Sequence, residues 1–303
     1  MSNIFFIESP LNLICTHEAI SFFKIKDYRI VIRLSTSDNN NDQIFNLIDI
    51  LGIDQGKIEF IKIHSNNKNT LDYLKIIFYV FKSLINFRSK RIFIGNLHSG
   101  FLSLIVRTFS RNKIIMIDDG TKTIAIQNSF DTEYFYNLFT MYNLRPLSGQ
   151  MIYKNNFEKI SQLVARLEID KNSILFLGSK LYEEDIVSES YYLELVNSIF
   201  RKYSDKKIIY IPHREESQKK IKKINSIENV SIKKLSYPVE LFGLYEGELP
   251  YKAISFYSTA LLTMKNLYGV DVESYYFNYK GSVHEKNIDA IYSFYEKEMR
   301  VVR

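Results

Sequence analysis

The feature of this sequence that most constrains its fold is a repeated alternation of short apolar runs with helical patterns. Residues 3–7, 28–34 and 113–117 are rich in β-branched and aromatic side chains. Such runs are typical of strands in a parallel sheet, because helices cover both faces of that sheet. Residues 11–23 follow the first run with a helical pattern, as a connection between parallel strands requires. The first half of the chain is therefore predicted to be an α/β unit.

A second series of the same kind begins near residue 173. Its main predicted strands are residues 173–177, 207–211 and 253–256. Residues 131–169, before it, are irregular and then helical, and residues 283–302 are predicted to close the chain as a helix. A chain of 303 residues is long enough for two domains. We therefore predict an α/β fold of two Rossmann-like lobes, 1–155 and 156–303, that face a central cleft.

Composition narrows the class of protein further. Apolar residues make up 46% of the chain, which is ordinary for a globular protein and rules out general disorder. The single cysteine, Cys15, excludes an intramolecular disulfide framework and a multi-cysteine zinc site. The net charge of +6 comes from scattered cations, with only short clusters such as residues 219–223. This charge is compatible with a nucleic-acid partner but does not indicate one, and we expect no nucleic-acid partner.

Neither a secretory signal nor a membrane span is evident in the sequence. The N-terminal residues lack a basic segment, and Glu8 and Pro10 interrupt their apolar run. The most apolar longer stretch, residues 71–87, contains three charged residues and is too polar for a bilayer. It is either a core-facing helix or a helix on a membrane surface. We therefore expect a cytoplasmic protein, with peripheral contact at the inner face of the cytoplasmic membrane left open.

Two adjacent carboxylates end the predicted strand at 113–117. Asp118 and Asp119 are followed by Gly120, which lets the backbone turn. Ligands of α/β lobes bind outside the carboxyl ends of the strands, so these side chains lie where a substrate would. Burial and mutual repulsion raise the pKa of one such carboxyl toward the range of a general base. The alternative is an Asp-Gly turn that only ends a strand.

Polar residues also follow the strands of the second series. His213 and Arg214 come just after a predicted strand, and a histidine beside an arginine suits an anionic ligand. Ser258 and Thr259 separate a strand from a helix, where hydroxyls and helix amides bind phosphate. Glu240, a further polar residue, opens a short predicted helix. Each of these residues can also have a purely structural role: His213 can lie at the surface, the hydroxyls can cap a helix, and Glu240 can interact with a helix dipole.

The order of these motifs along the chain is more specific than any one of them. The motifs are Ser9-Pro10-Leu11-Asn12, Asp118-Asp119-Gly120, Pro212-His213-Arg214-Glu215, Glu240 and Ser258-Thr259. In this order the chain resembles bacterial sialyltransferases of the lipooligosaccharide group, glycosyltransferase family 52. The resemblance covers most of the chain. One position departs from it, because the family histidine is usually followed by proline, whereas here Pro212 precedes His213.

This resemblance implies a GT-B fold and an inverting, metal-independent transfer of sialic acid. The donor would be CMP-sialic acid, held by the C-terminal lobe. The acceptor would be a terminal sugar, galactose by preference, on a bacterial lipooligosaccharide or capsule, held by the N-terminal lobe. No metal and no other cofactor is implied, and related enzymes make a homodimer an option.

The resemblance also implies roles for single residues. Asp118 is favoured as the catalytic base, ahead of Asp119 and Asp185, and His213 would stabilise or protonate the departing phosphate. The residues implied in CMP binding are Gly178, Ser179, His213, Arg214, Glu240, Ser258 and Thr259. Those implied at the acceptor or elsewhere in the cleft are Ser9, Pro10, Asn12 and Asp185.

Three alternatives to this function stay open. One is a GT-B glycosyltransferase that uses another nucleotide sugar. Another, which the basic charge would suit, is a non-catalytic protein that binds polyanions. The third is an inactive member of the family, in view of the altered histidine motif.

Overall fold

The structure of the protein is a computed structural model, and it describes residues 3–35, 38–62, 91–97, 99, 102–103, 106–107, 109–130, 135–164 and 167–303. The chain divides into two compact units, Met1–Ile160 and Ser161–Arg303. Each unit contains one parallel sheet. The helix predicted over residues 71–87 lies outside the described residues.

Seven strands form the sheet of the first unit. They are β1 (Asn3–Ile7), β2 (Tyr28–Leu34), β3 (Ile58–Lys62), β4 (Ile92–Ile94), β5 (Ile114–Ile117), β6 (Asn137–Thr140) and β7 (Ile152–Lys154). Their order across the sheet is β3-β2-β1-β4-β5-β6-β7, and all neighbours are parallel. The central strands β1, β4 and β5 are buried along their whole length. Burial on both faces explains why their sequences are apolar runs without alternation.

The described helices of the first half begin where the sequence provides caps and turns. They are α1 (Pro10–Phe22), α2 (Asp38–Ile50), α3 (Lys122–Ser129) and α4 (Glu158–Leu163), with 3-10 turns at Gln55–Lys57 and Arg111–Lys113. The α1 helix starts directly after β1, because Ser9 is its N-cap and Pro10 occupies its first position. In the helix predicted over 99–109, residues 102–103 and 106–107 are described and are helical.

Six strands form the sheet of the second unit. They are β8 (Glu168–Leu177), β9 (Lys207–Ile211), β10 (Val230–Ile232), β11 (Glu248–Ser255), β12 (Asp271–Tyr275) and β13 (Arg300–Val302). Their order is β10-β9-β8-β11-β12-β13, again with all neighbours parallel. The connecting helices are α5 (Glu189–Arg201), α6 (Gln218–Asn225), α7 (Phe242–Glu246), α8 (Thr259–Tyr268) and α9 (Glu285–Glu298), and a 3-10 turn, Val239–Leu241, precedes α7.

Aromatic rings fill much of the core of the second unit. Phe176 stacks on Tyr210, with ring centroids 5.5 Å apart, and meets Phe256 edge to face at 5.8 Å. Both geometries are favourable for aromatic pairs. Packing of this kind accounts for part of the high content of Phe and Tyr, which number 22 each.

Each sheet has a point at which the strand order reverses direction. In the first unit it lies between β1 and β4, and in the second between β8 and β11. The connections that follow the two strands run to opposite sides, which leaves a crevice at their carboxyl ends. Residues that directly follow these strands are therefore placed to meet a ligand.

The sequence pattern fails at three short strands. The strands β6 and β7 lie within residues 131–169, which the sequence predicts to be irregular and then helical, and β13 falls at the end of the helix predicted over 283–302. The helix predicted over 283–302 is wrong at its end. The α9 helix stops at Glu298, and the extended Met299 leads into β13, which pairs with β12.

Candidate functional site

Asp118 lies at the carboxyl end of β5, and the end of β6 encloses its carboxyl group. Its Oδ1 accepts a 2.5 Å hydrogen bond from the Thr140 hydroxyl, and its Oδ2 accepts a 2.8 Å bond from the Met141 N–H. The residue is 0% exposed. Burial raises the pKa of Asp118 to about 7, although these two hydrogen bonds oppose the rise. The carboxyl group is therefore close to half-protonated at neutral pH.

Asp119 differs from Asp118 in its exposure. Its side chain is 16% exposed, and its Oδ2 lies 3.8 Å from Nζ of Lys122. Its N–H donates to Thr123 Oγ1 at 3.0 Å, at the start of α3. Gly120 has a φ of +70°, in the left-handed region that glycine adopts without steric cost. The predicted turn is present, and of its two acidic side chains only that of Asp119 is partly exposed.

Asn12 ties the start of α1 to the end of β5. Its Nδ2 donates to the Asp118 carbonyl at 2.7 Å, its Oδ1 accepts from the Glu8 N–H at 3.3 Å, and its own N–H donates to Ser9 Oγ at 3.2 Å. Gly95 directly follows β4, and a Cβ at this position would lie 2.4 Å from the Asn12 side chain, so the position needs glycine. The structure thus brings Ser9, Asn12 and Asp118 together, and it buries Asn12 and Pro10.

Glu8 is a residue of this edge that the sequence analysis missed. It directly follows β1 and forms a bidentate pair with Arg33, with distances of 2.6 and 2.7 Å. Ser99 Oγ also donates to Glu8 Oε1 at 2.5 Å. The pair lies at the reversal point of the first sheet. The sequence could have indicated Glu8, because it is a charged residue directly after a buried strand, as Asp118 is.

His213 follows β9 at the carboxyl edge of the second sheet. Its Nδ1 accepts a 3.2 Å hydrogen bond from the Glu215 N–H. An acceptor at Nδ1 places the proton of the neutral ring on Nε2. Burial lowers the pKa of His213 to about 4, and the charge of Arg214 acts in the same direction. His213 is therefore neutral near pH 7 and offers an N–H donor at Nε2.

Gly178 follows β8 in the space beside His213. A Cβ there would lie 2.3 Å from Glu216 Oε2 and 2.6 Å from the Tyr210 hydroxyl, so no other residue fits without movement. Glu216 Oε2 also accepts a 2.7 Å hydrogen bond from the His213 N–H. Glu216, which the sequence analysis did not single out, therefore connects two residues that it did. Ser179 comes next and donates its N–H to the Tyr192 hydroxyl at 3.4 Å.

Glu240 and Arg214 interact electrostatically. Glu240 lies in the 3-10 turn before α7 and is nearly buried. Burial raises its pKa, and the positive charge of Arg214 lowers it. The Glu240 carbonyl accepts a 2.6 Å hydrogen bond from the Tyr268 hydroxyl, which fixes the turn against the end of α8.

The remaining predicted residues flank β8 and β11. Ser258 is the N-cap of α8, with its Oγ accepting from the Ala260 N–H at 3.3 Å, and Thr259 is the first helical residue. This pair lies at the reversal point of the second sheet. Asp185 is exposed, with a φ of +53°, in the turn after β8. It belongs to the second unit, whereas Asp118 and Asp119 belong to the first.

Two absences concern the described residues only. Among them, no group of three or more His, Cys, Asp or Glu side chains is arranged to hold a metal ion. Across the same part of the chain, no helix is long and apolar enough to cross a membrane.

No protein-family model and no curated protein matches this sequence. Solved structures are similar to it in fold. UDP-GlcNAc 2-epimerase from Neisseria meningitidis, bound to UDP-GlcNAc, has 12% identity and a TM-score of 0.59, over 100% of this chain and 95% of its own. Arabidopsis thaliana UGT89C1 complexed with UDP-L-rhamnose has 10% identity and a TM-score of 0.57, over 99% and 84%. A glycosyltransferase from Rickettsia africae has 10% identity and a TM-score of 0.51, over 92% and 80%.

These similarities establish the fold. The matched proteins have the GT-B fold, and the two parallel α/β units place this chain in the same fold class. The expectation of a GT-B fold is thereby confirmed. The narrower resemblance to sialyltransferases has no support from a family match.

Proposed function

We propose that this protein is a glycosyltransferase that moves sialic acid from CMP-sialic acid to a terminal galactose of a bacterial surface glycan, with inversion and without a metal. The single observation that carries the proposal is the placement of chemistry-bearing residues at the carboxyl edges of both sheets. A carboxylate pair follows β5, and a neutral histidine with an adjacent arginine follows β9. Structures similar to this one are bound to sugar nucleotides, which supports a sugar nucleotide as donor. The choice of CMP-sialic acid rests on the order of motifs in the sequence.

The transfer needs one group to accept a proton and another to stabilise the leaving phosphate. The acceptor hydroxyl forms a bond to the anomeric carbon, its proton passes to a carboxylate, and the bond from that carbon to the CMP phosphate breaks. His213 donates a hydrogen bond from Nε2 to the departing phosphate oxygen. Because His213 is neutral, Arg214 supplies the positive charge.

The exposure of the two carboxylates supports Asp119 as the base, although the sequence favoured Asp118. The carboxyl of Asp118 is fully enclosed by Thr140 and Met141, so it has no surface that a hydroxyl could reach. Asp119 has a partly exposed side chain on the same turn. We therefore assign proton acceptance to Asp119 and the fixing of the turn to Asp118.

The donor site proposed in the second unit uses the two sides of its reversal point. Gly178 and Ser179 follow β8, and Ser258 and Thr259 follow β11. The amides and hydroxyls at the start of α8 suit a phosphate, since the positive end of the helix dipole lies there. Glu240 is placed near Arg214 and would accept hydrogen bonds from ribose or cytosine.

The test is turnover with a panel of donors. CMP-sialic acid, UDP-sugars and GDP-sugars are incubated with a galactose-terminated acceptor, with and without EDTA, and nucleotide release is measured. We expect CMP release that EDTA does not reduce and that His213→Ala lowers at least 100-fold. Release of UDP or GDP without CMP would overturn the choice of donor, and loss of activity in EDTA would overturn metal independence.

A second candidate function is favoured by the comparisons themselves. The similar structures from Neisseria meningitidis and Arabidopsis thaliana contain UDP-sugars. A transferase that uses a UDP-sugar would place its nucleotide at the same residues of the second sheet. The donor panel separates the two functions directly.

A basic surface supports contact between this enzyme and a membrane that carries its acceptor. Because all strands of the first sheet are parallel, their amino ends lie at the edge opposite Asp118. Exposed cations at that edge are Lys24, Lys26, Arg29, Arg111 and Lys113, with Asp27 and Asp54 as exposed acids. Anionic lipid headgroups attract such a surface. Contact there would leave the edge that holds Asp119 free.

A further inference from the structure

Lys220 is a charged residue in an unexpected environment. It belongs to the lysine-rich segment 219–223, which has the composition of a solvated helix face. Its side chain is nevertheless 0% exposed. Lys222, two residues further along α6, is exposed as the pattern predicts.

The Lys220 ammonium has a complete set of polar partners. Its Nζ lies 2.7 Å from Glu216 Oε1 and 2.8 Å from Glu183 Oε2. It also donates to the Ser179 carbonyl at 3.0 Å. The ring of Tyr192 lies below it, with the centroid 4.1 Å from Nζ. The ammonium thus has three oxygen partners and an aromatic face.

Packing of α6 does not require a lysine at this position. Ile221 and Ile224 already bury the apolar face of the helix. Moving an ammonium out of water costs several kcal/mol, and a well-packed apolar residue in place of a buried ion pair is often neutral or stabilising. The charge is therefore better explained by what it holds in place than by helix stability.

The network joins the two loops that carry the proposed donor site. Glu216 accepts from the His213 N–H after β9, and Lys220 donates to the Ser179 carbonyl after β8. Glu183, in the first loop, also accepts a 2.8 Å hydrogen bond from the Ser217 N–H. The contacts from Lys220 to Ser179 and from Ser217 to Glu183 cross between the segments 178–183 and 213–220, and the bond from His213 to Glu216 lies within the second segment.

We propose that Lys220 and Glu216 are a positioning pair, which fixes the loop after β8 against the loop after β9 and so aims His213 at the donor nucleotide. Both side chains are buried, so we assign them no direct contact with the nucleotide. The link to the nucleotide rests on the function proposed above, whereas the link between the two loops does not. Without the ammonium, two carboxylates would face each other in a buried site, and the backbone of His213 would lose its fixed acceptor.

The first experiment measures the pKa of His213 in the absence of any nucleotide. Histidine labelled with nitrogen-15 is titrated by NMR in the whole protein, and His213 is assigned by its absence in His213→Gln. In the native protein we expect His213 to titrate near pH 4, because burial holds its pKa there. In Lys220→Met we expect its pKa to rise toward 6.5, as the loops separate and water reaches the ring. Lys222→Met, the same change at an exposed site of the same helix, should leave it unchanged.

The second experiment measures CMP binding by calorimetry. We expect Lys220→Met to weaken binding at least tenfold, Lys222→Met to stay within twofold of the native protein, and Lys220→Arg to recover part of the loss. Absence of CMP binding by the native protein would refute the proposed donor, and the His213 titration would still decide the positioning role. A folded Lys220→Met protein with native titration and native affinity would overturn the inference.

A double variant covers the case in which Lys220→Met does not fold. Lys220→Met with Glu216→Gln removes the charges of both members of the pair, so no carboxylate stays fully buried without its ammonium. The remaining carboxylate, Glu183, is partly exposed and keeps its hydrogen bond from the Ser217 N–H. The same two readouts apply to it. Native values for both in the double variant would also overturn the inference.

Discussion

The buried carboxyl of Asp118 gives a stability prediction with a defined sign. Its pKa is about 7 in the folded protein, against an ordinary value of 3.8. Between these values the folded chain holds a proton that the unfolded chain has released, so the free energy of unfolding falls as pH rises. A difference of about 3 pKa units corresponds to about 4 kcal/mol. This contribution is fully present below about pH 4 and is lost as the pH rises through 7.

Asp118→Asn removes the proton while keeping the shape. The carboxamide oxygen accepts from the Met141 N–H, and its NH2 group donates to the Thr140 hydroxyl, as the protonated acid would. We expect the variant to lack this part of the pH dependence. Between pH 5 and pH 8, the free energy of unfolding of the native protein should fall by roughly 3 kcal/mol relative to that of the variant. This is less than the whole pKa difference, which corresponds to about 4 kcal/mol.

The assay is urea unfolding followed by far-UV circular dichroism at fixed ionic strength, at intervals from pH 5 to pH 8. Hydrogen exchange of β5 amides assigns the transition to the first unit. Asp205→Asn is the matched control, since that side chain is 74% exposed and its loss should not alter the pH dependence. Parallel pH profiles for the native protein and Asp118→Asn would refute the reasoning.

Three further predictions concern the edges of the two sheets. Asp119→Asn should lower CMP release by a factor of about 100 to 10,000 with an unchanged Kd for CMP, because general base catalysis acts on the transfer step; a change below tenfold would contradict that role. Gly178→Ala should destabilise the second unit by about 1–3 kcal/mol in urea unfolding, since its Cβ would overlap the Glu216 carboxylate; native stability would contradict the close approach. Lys24→Glu with Lys26→Glu should reduce sedimentation with vesicles containing phosphatidylglycerol, and neutral vesicles should show no difference between the proteins; equal binding to the anionic vesicles would contradict the basic contact surface.

The sequence predicts most strands of the two sheets well because the pattern that indicates each strand lies within the strand itself. A run such as β1 or β5 is apolar since both of its faces are buried, and this shows within a few residues. The same locality places Asp118, which directly follows such a run, and His213, which comes two residues after one. The three-residue strand β13 depends on its pairing with β12 and leaves no pattern of its own.

The parts of the site that escape prediction depend on distant contacts. Lys220 has the sequence context of an exposed lysine, and its partner carbonyl at Ser179 lies 41 residues away. Glu216 is one of two adjacent glutamates in the sequence, and only the fold shows that it reaches Gly178. The order of Asp118 and Asp119 in exposure depends on Thr140, from a strand that the sequence pattern does not reveal.

The bond from Asn12 to the Asp118 carbonyl also constrains how the chain is assembled on the ribosome. The two residues are 106 positions apart, with all of β2, β3 and β4 between them. At a synthesis rate of about 5–20 residues per second, Asp118 is added to the chain roughly 5–20 s after Asn12. During that interval the nascent first sheet has β1 without β5, and its apolar faces are open to other chains. Shielding of these faces in those seconds would then favour correct folding of the unit over aggregation.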